Sequence, residues 1–219
     1  MDGLSVELRN VSFAYEPGKP VLRDLSLTLG PGLTLVVGPN GCGKSTLLKL
    51  AAGVEPPDSG RILVAGRDLW HEESGARRTL AYVPEVPDVS PYASVLEVLR
   101  LVAALRNLPP AQAHEALKDV GLEGMASSSI RQLSKGQRRR VLYAAARIGE
   151  PPILLLDEPL DGMDAGTSQK MMEWIRAHLT TGGMVVVSTH LWQDFEPLAV
   201  RVLEMDQGSI QRSRPGPGR

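Results

Sequence analysis

One stretch limits the possible folds more than any other: GPNGCGKST, residues 38–46, set between the apolar run Leu33–Val37 and a helix-forming segment from Lys44 to Ala52 that Gly53 stops. Glycines at 38, 41 and 43 let the backbone wrap tightly enough for successive N–H groups to converge on an anion. The helix that follows adds the partial positive charge of its N-terminus. The spacing is G-x-x-x-x-G-K-[ST] in a strand–loop–helix setting, a pattern whose chemistry is the cradling of nucleotide phosphates. In that pattern Lys44 reaches the β- and γ-phosphates and the Ser45 hydroxyl ligates Mg²⁺. A short, continuous apolar strand in front of such a loop is one buried on both faces, as in a parallel sheet covered by helices.

The rest of the chain reads consistently with an α/β protein. Val6, Leu8 and Val11 mark a strand, and Val21–Leu29 follows the turn at Pro17 and Gly18. Leu80–Val83, Ile153–Leu156, Met184–Ser188, Val200–Met205 and Ser209–Gln211 supply further strands, and a helix is expected from Asp164 to Leu179. The middle is different. Ser94 and Glu97 form a capping box ahead of a helix on which Val95, Leu99, Val102 and Leu105 share a face. Pro109 and Pro110 open a second helix that Gly121 closes. Residues of about 86–150 therefore form a helical insertion within a domain of 1–211, and the Pro/Gly-rich 212–219 reads as a flexible tail.

Composition excludes several classes. The formal net charge is −1, so no global basic field attracts nucleic acid, and Arg138, Arg139 and Arg140 read as a solvated helix face. Cys42 is the single cysteine, which rules out a disulfide within the chain. His71, His114 and His178 lack ligand-spaced neighbours, so a zinc site has little support. No apolar run approaches the ~18 residues that span a bilayer. Met1–Asn10 shows no signal-peptide pattern either, and the expected location is cytoplasmic.

Two more motifs belong with the phosphate loop. The strand ILLLDEP ends in Asp157 and Glu158, at the sheet edge where a ligand of that loop lies. Asp157 suits the Mg²⁺ shell, and Glu158 is placed to act as general base on an attacking water. His190, just past Met184–Ser188, emerges at the same edge, within reach of a γ-phosphate. A second anion-binding loop, LSKGQ at 133–137, is the puzzle: one nucleotide needs one such loop.

With these pieces in order, the chain resembles the nucleotide-binding subunit of an ABC (ATP-binding cassette) transporter over residues 3–211. Seven motifs carry the likeness: the adenine-stacking Tyr15 in VSFAY, the Walker A loop, a Q-loop in AYVPE, LSKGQ as the signature, Walker B with its glutamate, a D-loop in LDGMD, and a switch His190. The resemblance implies a P-loop NTPase core with a mostly parallel sheet, an N-terminal antiparallel β part and an inserted helical subdomain. It implies ATP and Mg²⁺ as ligands. Tyr15, Gly38, Asn40, Gly41, Cys42, Gly43, Lys44, Ser45 and Thr46 would bind ATP; Lys44, Glu158 and His190 would be catalytic; Ser45, Glu85 and Asp157 would hold the metal.

The same resemblance accounts for the second loop. Two chains pack head to tail, and Ser134, Lys135, Gly136 and Gln137 serve the ATP held by the partner's Walker A, with Asp161 and Asp164 in the D-loop between. The implied partners are a second ATPase subunit, identical or not, and a separate membrane permease; the implied place is the inner face of the cell membrane. Two residues depart from the family pattern. Lys135 stands at the signature's usual glycine, adding positive charge near a polyphosphate. Glu85 replaces the Q-loop glutamine, as in some export-type subunits, which tilts the expectation toward export. A soluble or regulatory ABC ATPase acting on a non-transport partner is the alternative.

Overall fold

The computed structural model describes residues 3–218 and, of Glu73 and Ser74, the backbone only. It divides into two compact units. The first comprises the described residues up to Pro84, Pro152–Pro159 and those from Trp174 onward; the second comprises Glu85–Pro151 and Leu160–Glu173.

The first unit holds both sheets. β1 (Val6–Phe13) pairs antiparallel with β2 (Leu22–Leu29) on one side and β4 (Ser59–Val64) on the other, and the short β5 (Arg67–Asp68) completes a four-stranded sheet. β1 and β2 bury alternate residues on either side of register shifts at Arg9–Asn10 and Arg23–Asp24, the pattern of a sheet with one face on the core. The second sheet has six strands in the order β10-β9-β3-β8-β7-β6. Its centre is β3 (Gly32–Val37), parallel to β8 (Met184–Ser188) and β9 (Ala199–Asp206), with β7 (Ile153–Asp157) and β6 (Leu80–Val83) parallel beyond β8. Every residue of β7 and β8 is buried, which is why these strands are apolar up to their last residues, Asp157 and Ser188. α1 (Lys44–Ala51) follows β3, and α2 (Glu73–Arg78) precedes β6.

The final strand departs from expectation. β10 runs Ser209–Pro215 and pairs antiparallel with β9 as far as Pro215↔Arg201, so residues 212–215 are ordered edge strand rather than flexible tail. Ionic pairing overrides the Pro/Gly composition. Arg214 binds Glu196 at 3.1 Å and Glu204 at 3.4 Å, and Arg201 Nε donates to Ser213 Oγ at 2.9 Å. Pro215 sits at the end of an edge strand, where a missing N–H costs least.

The second unit is helical: α3 (Val95–Leu105), α4 (Ala111–Asp119) and α5 (Lys135–Arg147), before α6 (Ala165–Thr180), which begins in it. The Ser94–Glu97 capping box forms as the sequence indicates, with Ser94 N donating to the Glu97 carboxylate at 2.7 Å. The buried face of α3 is different from the expected one. It consists of Val95, Leu99 and Ala103, while Leu105 is 69 % exposed and Val102 half-buried. The stripe follows i, i+4, i+8 and ends in Ala103, which lies in the core cluster of the helical unit.

This difference is directly measurable. Leu99→Ala removes a fully buried side chain and should destabilise the helical unit by about 2–5 kcal/mol, whereas Leu105→Ala should stay within about 0.5 kcal/mol of wild type. Urea midpoints followed by circular dichroism check it; equal losses at the two positions would contradict the observed face.

Candidate active site

Strand register sets up the site. Val36 of β3 and Asp157 of β7 both lie level with Ser188 of β8, so three parallel strands end together and their loops meet at one sheet edge. The phosphate loop leaves β3 there. A Cβ on Gly38 would collide with the Met205 carbonyl and the Cys42 sulfur, so only glycine permits this exit. Gly41, at φ +78°, has nothing within 4 Å of where its Cβ would be, and a loop residue of this kind leaves open space in front of the backbone. Gly43 is the N-cap of α1 and offers no side-chain cap, so the first turn of that helix presents its N–H groups to a ligand instead.

Lys44 is 7 % exposed, and its Nζ donates to the carbonyls of Gly38 at 2.9 Å and Pro39 at 3.0 Å. The ammonium thus holds the loop in shape and lies among the groups that would meet phosphate. Ser45 and Thr46 follow in the first turn, Thr46 buried. Asn40 is exposed at the loop's tip. Cys42 was expected among the ATP-binding residues, but its side chain is 4 % exposed and belongs to the core beneath the loop, while its N–H donates to the Pro39 carbonyl at 3.3 Å and its carbonyl accepts from Gly208 N at 3.0 Å.

Tyr15 is 52 % exposed. Its ring meets Phe13 edge-on at 4.8 Å, and its hydroxyl lies 3.5 Å from Thr46 Oγ1, which leaves a presented aromatic surface. The Lys49 ammonium sits 5.6 Å from the ring centre, a cation–π contact that sequence reading missed.

Asp157 ends β7 at 2 % exposure, and Glu158 turns the chain with φ +46°. A left-handed glutamate costs about 1–3 kcal/mol and persists only where its surroundings hold it. Here they do. Glu158 N donates to the Ser188 carbonyl at 2.8 Å, and the carboxylate accepts from Thr189 Oγ1 at 2.8 Å and His190 N at 3.0 Å. His190 Nδ1 lies 2.9 Å from Glu158 Oε2. The expected pair Glu158 and His190 is therefore assembled in one network. Thr189, which the sequence reading passed over, is its buried centre: the same hydroxyl accepts from Leu191 N at 3.0 Å. Its adjacency to His190 was the available signal.

These groups fit a nucleotide with Mg²⁺. The uncapped helix start and the glycine loop suit phosphate. Beside the buried carboxylate of Asp157, Ser188 Oγ is buried with no hydrogen-bond partner among the described residues, and a carboxylate beside a hydroxyl is chemistry suited to a hydrated cation. Ser45 and Asp157 are the ligands that this unit can offer. Glu85, the third expected metal residue, belongs to the helical unit, with its side chain exposed.

The signature loop stands at the start of α5. Ser134 is the N-cap: its Oγ accepts from Gln137 N at 3.2 Å, and Gln137 Oε1 accepts from Ser134 N at 2.8 Å. Gln137 thus shapes the loop. Gly136 leaves the helix start open, with only the Gly162 carbonyl within 4 Å of its would-be Cβ, at 3.9 Å. Lys135 does not present a lone charge. Its Nζ pairs with Asp161 Oδ2 at 2.9 Å, and the left-handed Gly162 makes room for the lysine chain. Asp164 caps α6, accepting from Thr167 N at 2.9 Å and Thr167 Oγ1 at 2.8 Å; those bonds hold its carboxyl below the usual aspartate range.

Comparison with known proteins agrees with this geometry. Residues 22–161 match the family described as ABC transporter. The chain is 40 % identical over 213 residues to the taurine import ATP-binding protein of Escherichia coli O157:H7, covering 94 % of this chain and 79 % of that one. It is 33 % identical over 212 residues to the spermidine/putrescine import ATP-binding protein of Spiroplasma citri, covering 94 % of this chain but 60 % of that longer one. A dimeric ATP-binding cassette in a post-hydrolysis state with ADP and Pi superimposes with a TM-score of 0.85 at 27 % identity, over 96 % of this chain and 98 % of that one. The family match, these relatives and the shared fold place the chain in the ABC transporter family as an ATP-binding, ATP-hydrolysing subunit that works with Mg²⁺.

Proposed function

We propose that this chain energises an import-type ABC transporter, closing head to tail with a second ATPase subunit around two ATP molecules and driving a separate membrane permease from the cytoplasmic face. The observation that carries the reading is that two helix starts chemically suited to an anion sit on one chain, at Gly43 before α1 and at Ser134 before α5, on two different compact units. The expectation of export rested on Glu85 alone, and the relatives do not support it: those at 40 % and 33 % identity are named as import subunits. Among the described residues no helix is long and apolar enough to cross a membrane, which accords with a permease on another chain. The helical unit leaves Val86, Tyr92, Leu101 and Leu105 exposed, apolar positions suited to a permease's cytoplasmic helices.

In this reading Lys44 and the N–H groups of the loop hold the β- and γ-phosphates, and Tyr15 stacks on adenine. Ser45 and Asp157 would hold Mg²⁺, with Glu85 as a further candidate ligand, and the metal would supply positive charge against the phosphates. Glu158 takes the proton of the attacking water, while Thr189 and His190 fix its carboxylate. Ser134 and the backbone of Gly136 face the partner's γ-phosphate. Lys135 reaches that phosphate only by leaving Asp161, so Asp161 acts as a competitor for its ammonium.

Two measurements test this. Glu158→Gln should keep ATP binding and lower turnover about 10²–10⁴-fold, because an amide cannot accept the proton; the stalled protein should run as an ATP-bound dimer in size exclusion. Wild-type turnover in that variant would remove Glu158 from the role. Asp161→Asn should release Lys135 and lower the ATP concentration for half-maximal turnover by about two- to fivefold, the range of an exposed ion pair. The difference should fade near 1 M salt, where the screening length is about 3 Å. A raised half-maximal concentration would contradict the competition.

A further inference from the structure

Arg139, the second of three consecutive arginines, does not belong to a solvated face. It is 5 % exposed. Its Nη1 donates to the main-chain carbonyl of Glu85 at 3.0 Å, across 54 positions of sequence. One helical turn on, the ring of Tyr143 lies with its centre 5.9 Å from the guanidinium carbon. Burial pushes the Tyr143 phenol up to about 12, so this neighbour stays neutral and brings no opposing charge.

A guanidinium keeps its proton at any ordinary pH, so burying one is tolerated only where its N–H groups meet acceptors. A charged donor on a peptide carbonyl is also stronger than a neutral one. The acceptor here is not an arbitrary peptide. Glu85 is where the chain enters the helical unit, and its side chain is exposed while its carbonyl is held. The donor stands on α5, five residues after Ser134, about 7.5 Å along a helix of 13 residues. One rigid helix therefore carries the signature loop at its start and grips the entry peptide from its second turn.

We propose that Arg139 is a positioning residue that ties the peptide of Glu85 to the signature helix, so that displacement at Glu85 and displacement of the Ser134 loop are one motion of the helical unit. The inference rests on the reading of Glu85 and Ser134 as the residues answering to nucleotide in the two half-sites. Given that reading, Arg139 is how occupancy of a chain's own ATP site is felt at the loop it offers to its partner. Losing the tie leaves ATP binding in place and uncouples the sites.

The test uses the full chain with Arg139→Lys, which keeps a charge but loses the fork, and Arg139→Met, which keeps volume and apolar burial. For Arg139→Lys, kcat should fall about tenfold to a hundredfold with KM within about twofold of wild type, the pattern of a misplaced group rather than a lost binding contact. The Hill coefficient for ATP should drop toward one in both variants. Hydrogen exchange on the nucleotide-free chain gives a second readout, independent of turnover. In Arg139→Lys, residues 85–89 and 133–137 should exchange faster together while α3 is unchanged. Wild-type kcat and cooperativity in Arg139→Lys, or faster exchange at one segment alone, would overturn the proposal. So would a loss confined to the urea midpoint, which would make Arg139 purely structural. A wild-type chain without ATPase activity would instead sink the functional reading, and paired exchange would still decide the tie.

Discussion

The sharp exit of the backbone at Gly38 is the constraint on which the site depends. The Met205 carbonyl and Cys42 sulfur close off the space a side chain would need, so the strand passes directly into the glycine loop. That strand lies in the parallel part of the six-stranded sheet, and the registers of β3 and β7 with β8 decide where Asp157, Glu158 and His190 stand. A one-residue slip would turn Asp157 to the opposite face of the sheet. The wholly buried runs of β7 and β8 prevent the slip, so hydrophobic burial aligns the carboxylates with the phosphate loop.

The helical unit is governed by a different economy, in which polar groups organise loops. Ser134 with Gln137, Ser94 with Glu97, and Asp164 with Thr167 each satisfy helix-start N–H groups by side chain. Those side chains shape the starts of their helices, whereas Gly43 offers the start of α1 no side-chain cap. The contrast separates the two helix starts chemically. The first offers backbone N–H groups beside a buried lysine, the second a hydroxyl, a glycine peptide and an exposed lysine whose charge is already engaged by Asp161.

Much of this was legible in the sequence because the features are local. A glycine loop between an apolar run and a helix, or a strand ending in two carboxylates, needs no tertiary information. What escaped needed it. Arg139 was read with Arg138 and Arg140 as a charged face, yet successive residues on a helix point about 100° apart. Its spacing from Tyr143 and Ala146, both buried, was the clue that one of the three turns inward. On α3 a periodic count included Leu105, whereas the packed stripe ends in Ala103. Residues 212–215 looked disordered by composition, and the acids that order them, Glu196 and Glu204, lie well away in sequence. The left-handed turn at Glu158 had no sequence mark at all.

The central claim is that one ATP is held between the phosphate loop of one chain and the signature loop of another, and a mixing experiment tests it most directly. A Lys44→Ala chain lacks a working phosphate loop, and a Ser134→Arg chain lacks a working signature. Each alone should be inactive. Combined, they form heterodimers with one intact composite site, so ATPase activity should reappear and rise with the product of the two concentrations. If the mixture stays inactive at every ratio while wild type hydrolyses ATP under the same conditions, the two loops do not share a nucleotide.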